Sequence, residues 1–152
     1  MTAATELPSL VKEVRVAAPV ERAWKVFTDG IDSWWPVATH SVAPDRVAEI
    51  VFEPGLGGRI LERRRDGDEC VWGEVDVYEP PHRVRFSWHP NEERPAATEV
   101  EVTFAAVAGG TLVRLEHRGW ERLGAIEGAE SRGDYDTGWD LVLARYVEGT
   151  NR

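Results

Sequence analysis

The hydrophobic positions of this chain follow a helical spacing near both ends and a strand-like alternation between them. Val20, Ala23, Trp24 and Phe27 recur at the interval that places apolar side chains on one face of a helix. A second helix is predicted to begin at Gly133, close to the C-terminus. The residues that share its buried face are Tyr135, Gly138, Trp139, Val142 and Tyr146.

The alternating segments are typical of β-strands. Residues 9–17 alternate apolar and polar side chains ahead of the first helix. Six further strands are predicted over residues 47–52, 59–65, 70–78, 83–88, 99–104 and 112–117. Most of these strands have one polar face, which favours an antiparallel sheet with one side in water. The apolar faces of the two helices are then predicted to cover the other side, in an α+β fold.

Two connections have clear turn signals. Asp66-Gly67 predicts a hairpin turn between the third and fourth strands. A short helical turn that carries Trp34 and Trp35 follows the first helix and is predicted to end at Pro36.

The composition is typical of one globular domain, residues 1–152, with a core from about residue 10 to residue 150. The net charge of -9 disfavours nucleic acid as a partner, because a negative surface repels phosphate groups. The N-terminus lacks the basic start and apolar segment of a signal peptide, and no apolar run is long enough to enter and cross a bilayer. With Cys70 as the sole cysteine, we expect a bacterial protein of the reducing cytoplasm, without membrane insertion.

Short motifs spread over roughly residues 10 to 150 resemble, in order and spacing, the START-like (SRPBCC) superfamily of helix-grip domains. The branch that they resemble most is the C-terminal domain of the heat-shock-protein-90 ATPase activator. The motifs are VAAPVERAW at 16–24, Trp34-Trp35, Gly57-Gly58-Arg59, Gly73-Glu74-Val75, PPHRV at 80–84, Phe86-Ser87-Trp88, Val102-Thr103-Phe104, Gly110-Thr111, Leu115-Glu116-His117, Gly138-Trp139 and Leu143.

The resemblance implies a curved antiparallel sheet of about seven strands that grips a long C-terminal helix, with two short helices after the first strand. It also implies a ligand-sized cavity between sheet and helix. Relatives bind lipids, hormones or polyketides, and some act as cyclases or hydrolases. The chaperone activator has an additional N-terminal domain for which this chain has no room, so a chaperone is not expected as its partner.

Seven residues are predicted to line such a cavity, because ligand pockets are mostly apolar and aromatic with few polar groups. They are Trp35, Phe86, Trp88, His117, Trp120, Trp139 and Val142. A densely packed core would use the same residues, and the sequence leaves both interpretations open. His117 should point inward, since it alternates with Val113 and Leu115. It could orient a ligand or act as a base, but the favoured interpretation is a core histidine with satisfied hydrogen bonds.

Other candidates for chemistry are weaker. Glu74 and Asp76 are predicted to face water, which disfavours a paired-carboxylate mechanism. Cys70 has no activating histidine at a suitable spacing. His82 and His89 should point to opposite faces of their strand and cannot bind one metal ion. We therefore expect no catalytic residue, no metal site and no cofactor.

The sequence thus predicts a protein that binds a small hydrophobic or amphipathic molecule in its cavity. A cyclase- or hydrolase-like enzyme that uses the same cavity is the first alternative. A stress-related module that interacts with a chaperone or another protein is the second, and a homodimer stays open. Polar side chains that converge in the cavity would favour the enzyme, whereas a filled cavity with an exposed apolar patch would favour the interaction module.

Overall fold

A seven-stranded antiparallel sheet curls around one long helix in the computed structural model, which describes residues 7–40, 44–90 and 97–151. The strands are β1 (Leu10–Val16), β2 (Val47–Phe52), β3 (Arg59–Arg64), β4 (Glu69–Glu79), β5 (Arg83–Trp88), β6 (Thr98–Val107) and β7 (Gly110–Arg118). They lie in the order β1-β7-β6-β5-β4-β3-β2, so that β1 and β2 form the two edges of the sheet. This is the predicted α+β helix-grip architecture.

Three α-helices complete the described chain. They are α1 (Val20–Phe27), α2 (Val37–His40) and α3 (Ala125–Asn151), with short 3₁₀ helices at Ile31–Ser33, Pro44–Arg46 and Trp120–Leu123. The face of α1 predicted from its spacing is the face that is buried. The helix α3 places Trp139, Val142, Leu143 and Tyr146 against the inner face of the sheet.

Two local predictions differ from the structure. The last helix begins at Ala125, eight residues before the predicted start at Gly133. Glycines weaken the helical signal in the sequence of this first part of α3. Gly128 is nevertheless needed there, because a Cβ at this position would lie 2.1 Å from the Trp120 carbonyl oxygen. The close approach of two backbones therefore overrides the low helix propensity of glycine.

The second difference concerns the segment around the tryptophan pair. The helical turn is Ile31–Ser33, immediately before Trp34 and Trp35, and Pro36 does not end the helical structure. Instead α2 follows Pro36, whose carbonyl accepts the backbone N–H of His40 at 2.9 Å. Proline suits the first turn of a helix because its missing N–H would have no partner there.

The outer face of the sheet is polar, as the alternation predicts. Arg118 binds the carboxylates of Glu99 and Glu101, each at 2.7 Å. On the inner side, the edge strand β1 is fastened to α3 by Lys12, whose ammonium lies 2.6 Å from a carboxylate oxygen of Asp136 and 3.0 Å from one of Asp140.

The contact between α1 and α3 depends on Tyr146, which is completely buried. Its ring packs edge-on against Phe27, with ring centroids 5.2 Å apart. Its hydroxyl donates a hydrogen bond of 2.7 Å to the carbonyl oxygen of Ala23. One side chain thereby joins the C-terminal helix to the N-terminal one.

We expect Tyr146→Phe to lower the free energy of unfolding by about 1 kcal/mol, because one buried hydrogen bond is lost while the ring stays in place. Urea denaturation measures this difference. Tyr78→Phe is the matched control, since the half-buried Tyr78 ring contacts Trp24 and no hydrogen bond of its hydroxyl is seen within the described residues. Equal stability of the two variants would contradict the expected role of the Tyr146 hydroxyl.

Candidate functional site

A cavity of about 290 Å³ lies between the inner face of the sheet and α3. Its walls are mostly aromatic, and its few polar groups come from α2 and α3. The lining residues are Trp35, His40, Trp72, Trp88, Pro90, Asp134, Tyr135, Gly138, Trp139 and Val142.

Four tryptophans form a continuous wall. Trp72 lies 5.1 Å from Trp35 and 5.7 Å from Trp88, measured between ring centroids. Trp88 in turn lies 5.8 Å from Trp139, which closes the wall at α3. These separations and the tilted or edge-on ring orientations are those of favourable aromatic pairs.

Trp72 enters this wall because β4 is irregular. Ile60 pairs with Gly73 and Leu61 with Val71, so Trp72 is the extra residue of a β-bulge. Bulges redirect a side chain, and they are common next to functional sites. Gly73 is required beside it, since a Cβ there would lie 1.8 Å from the Ser87 carbonyl oxygen. Trp72 was not among the residues predicted to line the cavity. The Trp-Gly pair inside a strand is the signal in the sequence that could have indicated it.

Four of the seven predicted ligand-binding residues line the cavity, namely Trp35, Trp88, Trp139 and Val142. The other three, Phe86, His117 and Trp120, are buried side chains outside the described lining. Phe86 points inward but packs edge-on against Phe52, farther along the sheet. Among the other lining residues, His40, Pro90 and Asp134 were not predicted from the sequence, and Tyr135 and Gly138 were predicted only to lie on the buried face of α3.

His117 is fully buried behind the wall, with its ring 4.0 Å from Trp120 and 5.0 Å from Tyr135. Its Nδ1 accepts the indole N–H of Trp139 at 3.0 Å. A neutral ring must then carry its proton on Nε2, which lies 2.7 Å from the hydroxyl oxygen of Thr98 and donates to it. The Thr98 hydroxyl in turn donates a hydrogen bond of 3.2 Å to the carbonyl oxygen of Trp88. Both ring nitrogens are therefore satisfied within the protein.

Burial keeps His117 neutral. Removal of the ring from water disfavours the charged form and lowers the pKa of His117 to about 3. Protonation would also place two N–H groups against each other, at Nδ1 and at Trp139. The favoured interpretation of the sequence, a core histidine with satisfied hydrogen bonds, agrees with this geometry.

Three of the four indole N–H groups in the wall have a hydrogen-bond acceptor within the described residues. Trp35 donates to the His40 carbonyl at 2.9 Å, Trp88 to the Tyr135 hydroxyl at 2.9 Å and Trp139 to His117. Trp72 is 1% exposed, and its N–H has no partner within the described residues. Leaving such a donor unsatisfied costs about 1–3 kcal/mol, and most buried polar groups avoid this cost.

Tyr135 contributes a second donor. Its oxygen accepts the Trp88 N–H, and its own proton meets no acceptor within the described residues. Burial raises the pKa of the Tyr135 hydroxyl, and the nearby Asp134 carboxylate adds to this effect, while the bond from Trp88 opposes it. The hydroxyl consequently stays protonated at neutral pH.

The polar part of the cavity lies along α2 and α3. His40 is the last residue of α2, and its Nδ1 lies 2.7 Å from the Thr39 hydroxyl. A Cβ at Gly138 would approach His40 Nε2 to 3.5 Å, which is ordinary contact, so the absence of a side chain at Gly138 leaves open space between the imidazole and α3. Asp134 is an exposed acid one helical turn away.

Within residues 7–40, 44–90 and 97–151, no group of three or more histidine, cysteine, aspartate or glutamate side chains could hold a metal ion. None of the helices described has the length and apolar character needed to cross a membrane. Glu74 and Asp76 are exposed, as predicted, and do not line the cavity.

The fold is that of the START-like helix-grip class. Residues 17–147 match the family described as activator of Hsp90 ATPase homolog 1-like proteins, and the chain belongs to that family. This confirms the resemblance found in the sequence. No protein of curated function matches the chain in sequence.

Solved structures extend the comparison. Txn09, an anthrahydroquino-γ-pyrone synthase, is 32% identical over 95% of this chain and 98% of that one, with a TM-score of 0.61. The Aha1 dimer from Colwellia psychrerythraea is 18% identical over 95% and 97% of the two chains, with a TM-score of 0.69. CalU16 from Micromonospora echinospora is 23% identical over 93% and 75%, with a TM-score of 0.65. The last two share the fold with this chain, and at such low sequence identities the similarity shows the fold alone.

We expect the ring resonances of His117 in NMR spectra to stay constant between pH 8 and pH 5, because the folded state holds the neutral ring down to about pH 3. A titration midpoint near the ordinary histidine value of about 6.5 would contradict the buried, neutral assignment.

The same lowered pKa predicts a loss of stability in acid. Below about pH 6.5 His117 takes up a proton in the unfolded chain but not in the folded protein. Its contribution to the free energy of unfolding is therefore complete above that pH and smaller below it. The contribution falls by about 1.4 kcal/mol per pH unit where the unfolded histidine is protonated. Denaturation at pH 7 and pH 5 should show that His117→Gln loses less stability in acid than the wild type by this amount. His82→Gln, the variant of an exposed histidine, should lose as much as the wild type.

Proposed function

We propose that this protein binds a small, flat aromatic molecule between its sheet and α3. The wall of four tryptophans around a cavity of about 290 Å³ is the observation that carries the proposal. Pockets for small molecules are mostly apolar and aromatic and start at about 300 Å³, so this cavity suits a compact fused-ring compound. A packed core would instead leave few voids larger than a water molecule.

The wall favours a flat ligand over a flexible aliphatic one. Indole faces and edges gain most from another aromatic ring, which can stack on one tryptophan and meet the edge of the next. A rigid ligand also loses less conformational freedom on binding than a fatty acyl chain does. The predicted class of hydrophobic or amphipathic ligands is thereby narrowed to its aromatic members.

Charge disfavours an anionic ligand. Asp134 is the one carboxylate of the described lining, and no lysine or arginine lies there with it. The whole chain carries a net charge of -9. A neutral compound therefore enters without electrostatic cost, while a carboxylate would meet repulsion without a cation to pair with.

Enzymatic ring closure is the second candidate function. It is favoured by the 32% identity to Txn09, a γ-pyrone synthase, and by the position of His40 beside the open space at Gly138. In such a reaction a phenolic oxygen adds to the distal carbonyl carbon of an aryl 1,3-diketone, and water leaves. His40 would accept the phenolic proton, and the Tyr135 hydroxyl would donate to the carbonyl oxygen.

Fluorene, a flat apolar probe, should raise the melting temperature of the protein, because a ligand at 100 times its Kd adds about 2.7 kcal/mol to stability. Gly138→Leu should fold at least as stably as the wild type, since leucine favours the helix over glycine by up to about 1 kcal/mol. The new side chain occupies the cavity, so fluorene should no longer shift the melting temperature of this variant.

Gly133→Leu is the matched control on the same helix. Gly133 is exposed, and a Cβ there meets no atom within 4 Å, so its substitution changes helix propensity alone. This variant should keep the full thermal shift with fluorene. An unchanged shift in Gly138→Leu would place the ligand elsewhere, and a larger shift with palmitate than with fluorene would contradict the preference for flat molecules.

The enzyme candidate is tested by incubation of an ortho-hydroxyaryl 1,3-diketone with the protein at neutral pH and measurement of the γ-pyrone by mass spectrometry. His40→Ala should reduce product formation more than tenfold if His40 is the base, whereas Gly133→Leu should not. Product formation no faster than in buffer would leave binding as the function.

A further inference from the structure

We infer that the aromatic ligand carries an amino group, which is recognised in the polar part of the cavity by the imidazole of His40 and the carboxylate of Asp134. The inference rests on the proposed function, since it names a second part of the same ligand. Both side chains belong to the cavity lining, whose other walls are mostly aromatic. His40 is half-buried and Asp134 is exposed, so an amino group that contacts them keeps part of its hydration.

His40 offers the cavity a hydrogen-bond acceptor. The Thr39 hydroxyl donates to the Pro36 carbonyl at 3.5 Å, so its oxygen is left to accept a proton. His40 Nδ1 lies 2.7 Å from that oxygen and donates to it, which leaves the lone pair of a neutral ring on Nε2. A Cβ at Gly138 would lie 3.5 Å from Nε2, so this nitrogen lies beside the open space at Gly138. An N–H group of a ligand can bind to it there.

Asp134 supplies a negative charge that the protein leaves unbalanced. No ion pair and no hydrogen bond of its carboxylate is seen within the described residues, whereas Asp136 and Asp140 on the same helix both pair with Lys12. Asp134 lies one helical turn before Gly138, next to the same open space. The described lining contains no lysine or arginine, so a positive group of the ligand has no protein cation to compete with.

The aromatic walls favour the same sign of charge. The face of an indole ring is negative and attracts a cation, and tryptophan is the strongest of the aromatic side chains in this respect. Apolar walls also focus the field of a nearby charge, because they screen it less than water does. A ligand hydroxyl could donate to His40 as an amine does, but it would gain no ion pair with Asp134. The site therefore selects an aromatic amine over the corresponding alcohol.

Three compounds with one ring frame test this inference: 1-methylnaphthalene, 1-naphthalenemethanol and 1-naphthylmethylamine. At pH 7 their methyl carbon carries a hydrogen, a hydroxyl group or an ammonium group. In calorimetric titrations the wild-type protein should bind the amine roughly two- to fivefold more tightly than the alcohol, the ratio expected for an ion pair in contact with water. Asp134→Asn should lower this ratio to about one through loss of affinity for the amine. His40→Ala should weaken binding of the amine and the alcohol more than binding of 1-methylnaphthalene, which donates no hydrogen bond.

Glu148→Gln is the matched control for Asp134→Asn. Both residues are exposed on α3, so neither variant removes a buried contact, and each removes one negative charge. Glu148 lies about 21 Å farther along the helix, beyond the screening length of about 10 Å at moderate salt. The preference of this variant for the amine should stay as in the wild type. The comparison separates a contact with Asp134 from attraction by the net charge of -9.

The outcomes separate the two proposals. Binding of 1-methylnaphthalene with no preference for the amine over the alcohol overturns this inference and leaves the aromatic cavity intact. Binding of none of the three compounds overturns the proposed function and this inference with it. A preference that persists in Asp134→Asn, or one that Glu148→Gln also abolishes, overturns the role of Asp134. An equal loss of affinity for all three compounds in His40→Ala overturns the role of His40 as the acceptor.

Discussion

The hydrogen bond from the Trp139 indole to His117 is the interaction on which the rest of the site depends. It joins the middle of α3 to β7 between two buried side chains, where a donor or acceptor without a partner is costly. It also fixes which nitrogen of His117 carries the proton, and through Thr98 the chain of hydrogen bonds reaches the backbone of Trp88. Strands β5, β6 and β7 and the helix are thereby held in one register.

That register sets the rotation of α3 about its axis. With Trp139 bound to His117, Gly138 and Val142 face the cavity and Tyr146 faces α1. A helix held only by apolar contacts could slide or rotate at small cost, because such contacts have no direction. A directional bond between buried groups restricts that freedom and so helps to hold the walls of the cavity in place. A preformed cavity loses less free energy on binding than one that must be ordered by its ligand.

Much of the fold could be predicted from the sequence, because strand alternation and helical spacing are local signals. The ends of Val47–Phe52 and Arg83–Trp88 agree with the prediction to the residue. The start of α3 could not be predicted, since Gly128 is explained only by its contact with Trp120, which a spacing argument does not contain. The candidate site was predicted in part. Trp88 follows from strand alternation and Trp139 from helical spacing, and Trp35 was predicted from the tryptophan pair after the first helix. Trp72 depends on a β-bulge, and the inward-pointing His117 finds its hydrogen-bond partners in the core.

The open shape of the sheet leaves two edges, and β1 is guarded in a particular way. Free edge strands offer unpaired backbone groups to other molecules, and proteins often block such pairing with charged side chains that point inward. Lys12 does this on β1, where its ammonium is held between Asp136 and Asp140 of α3. A strand from a second molecule would have to lie beside this partly buried ammonium group and displace its pairing with the helix. The ion pair that fastens the sheet to α3 therefore also protects the protein against edge-to-edge aggregation.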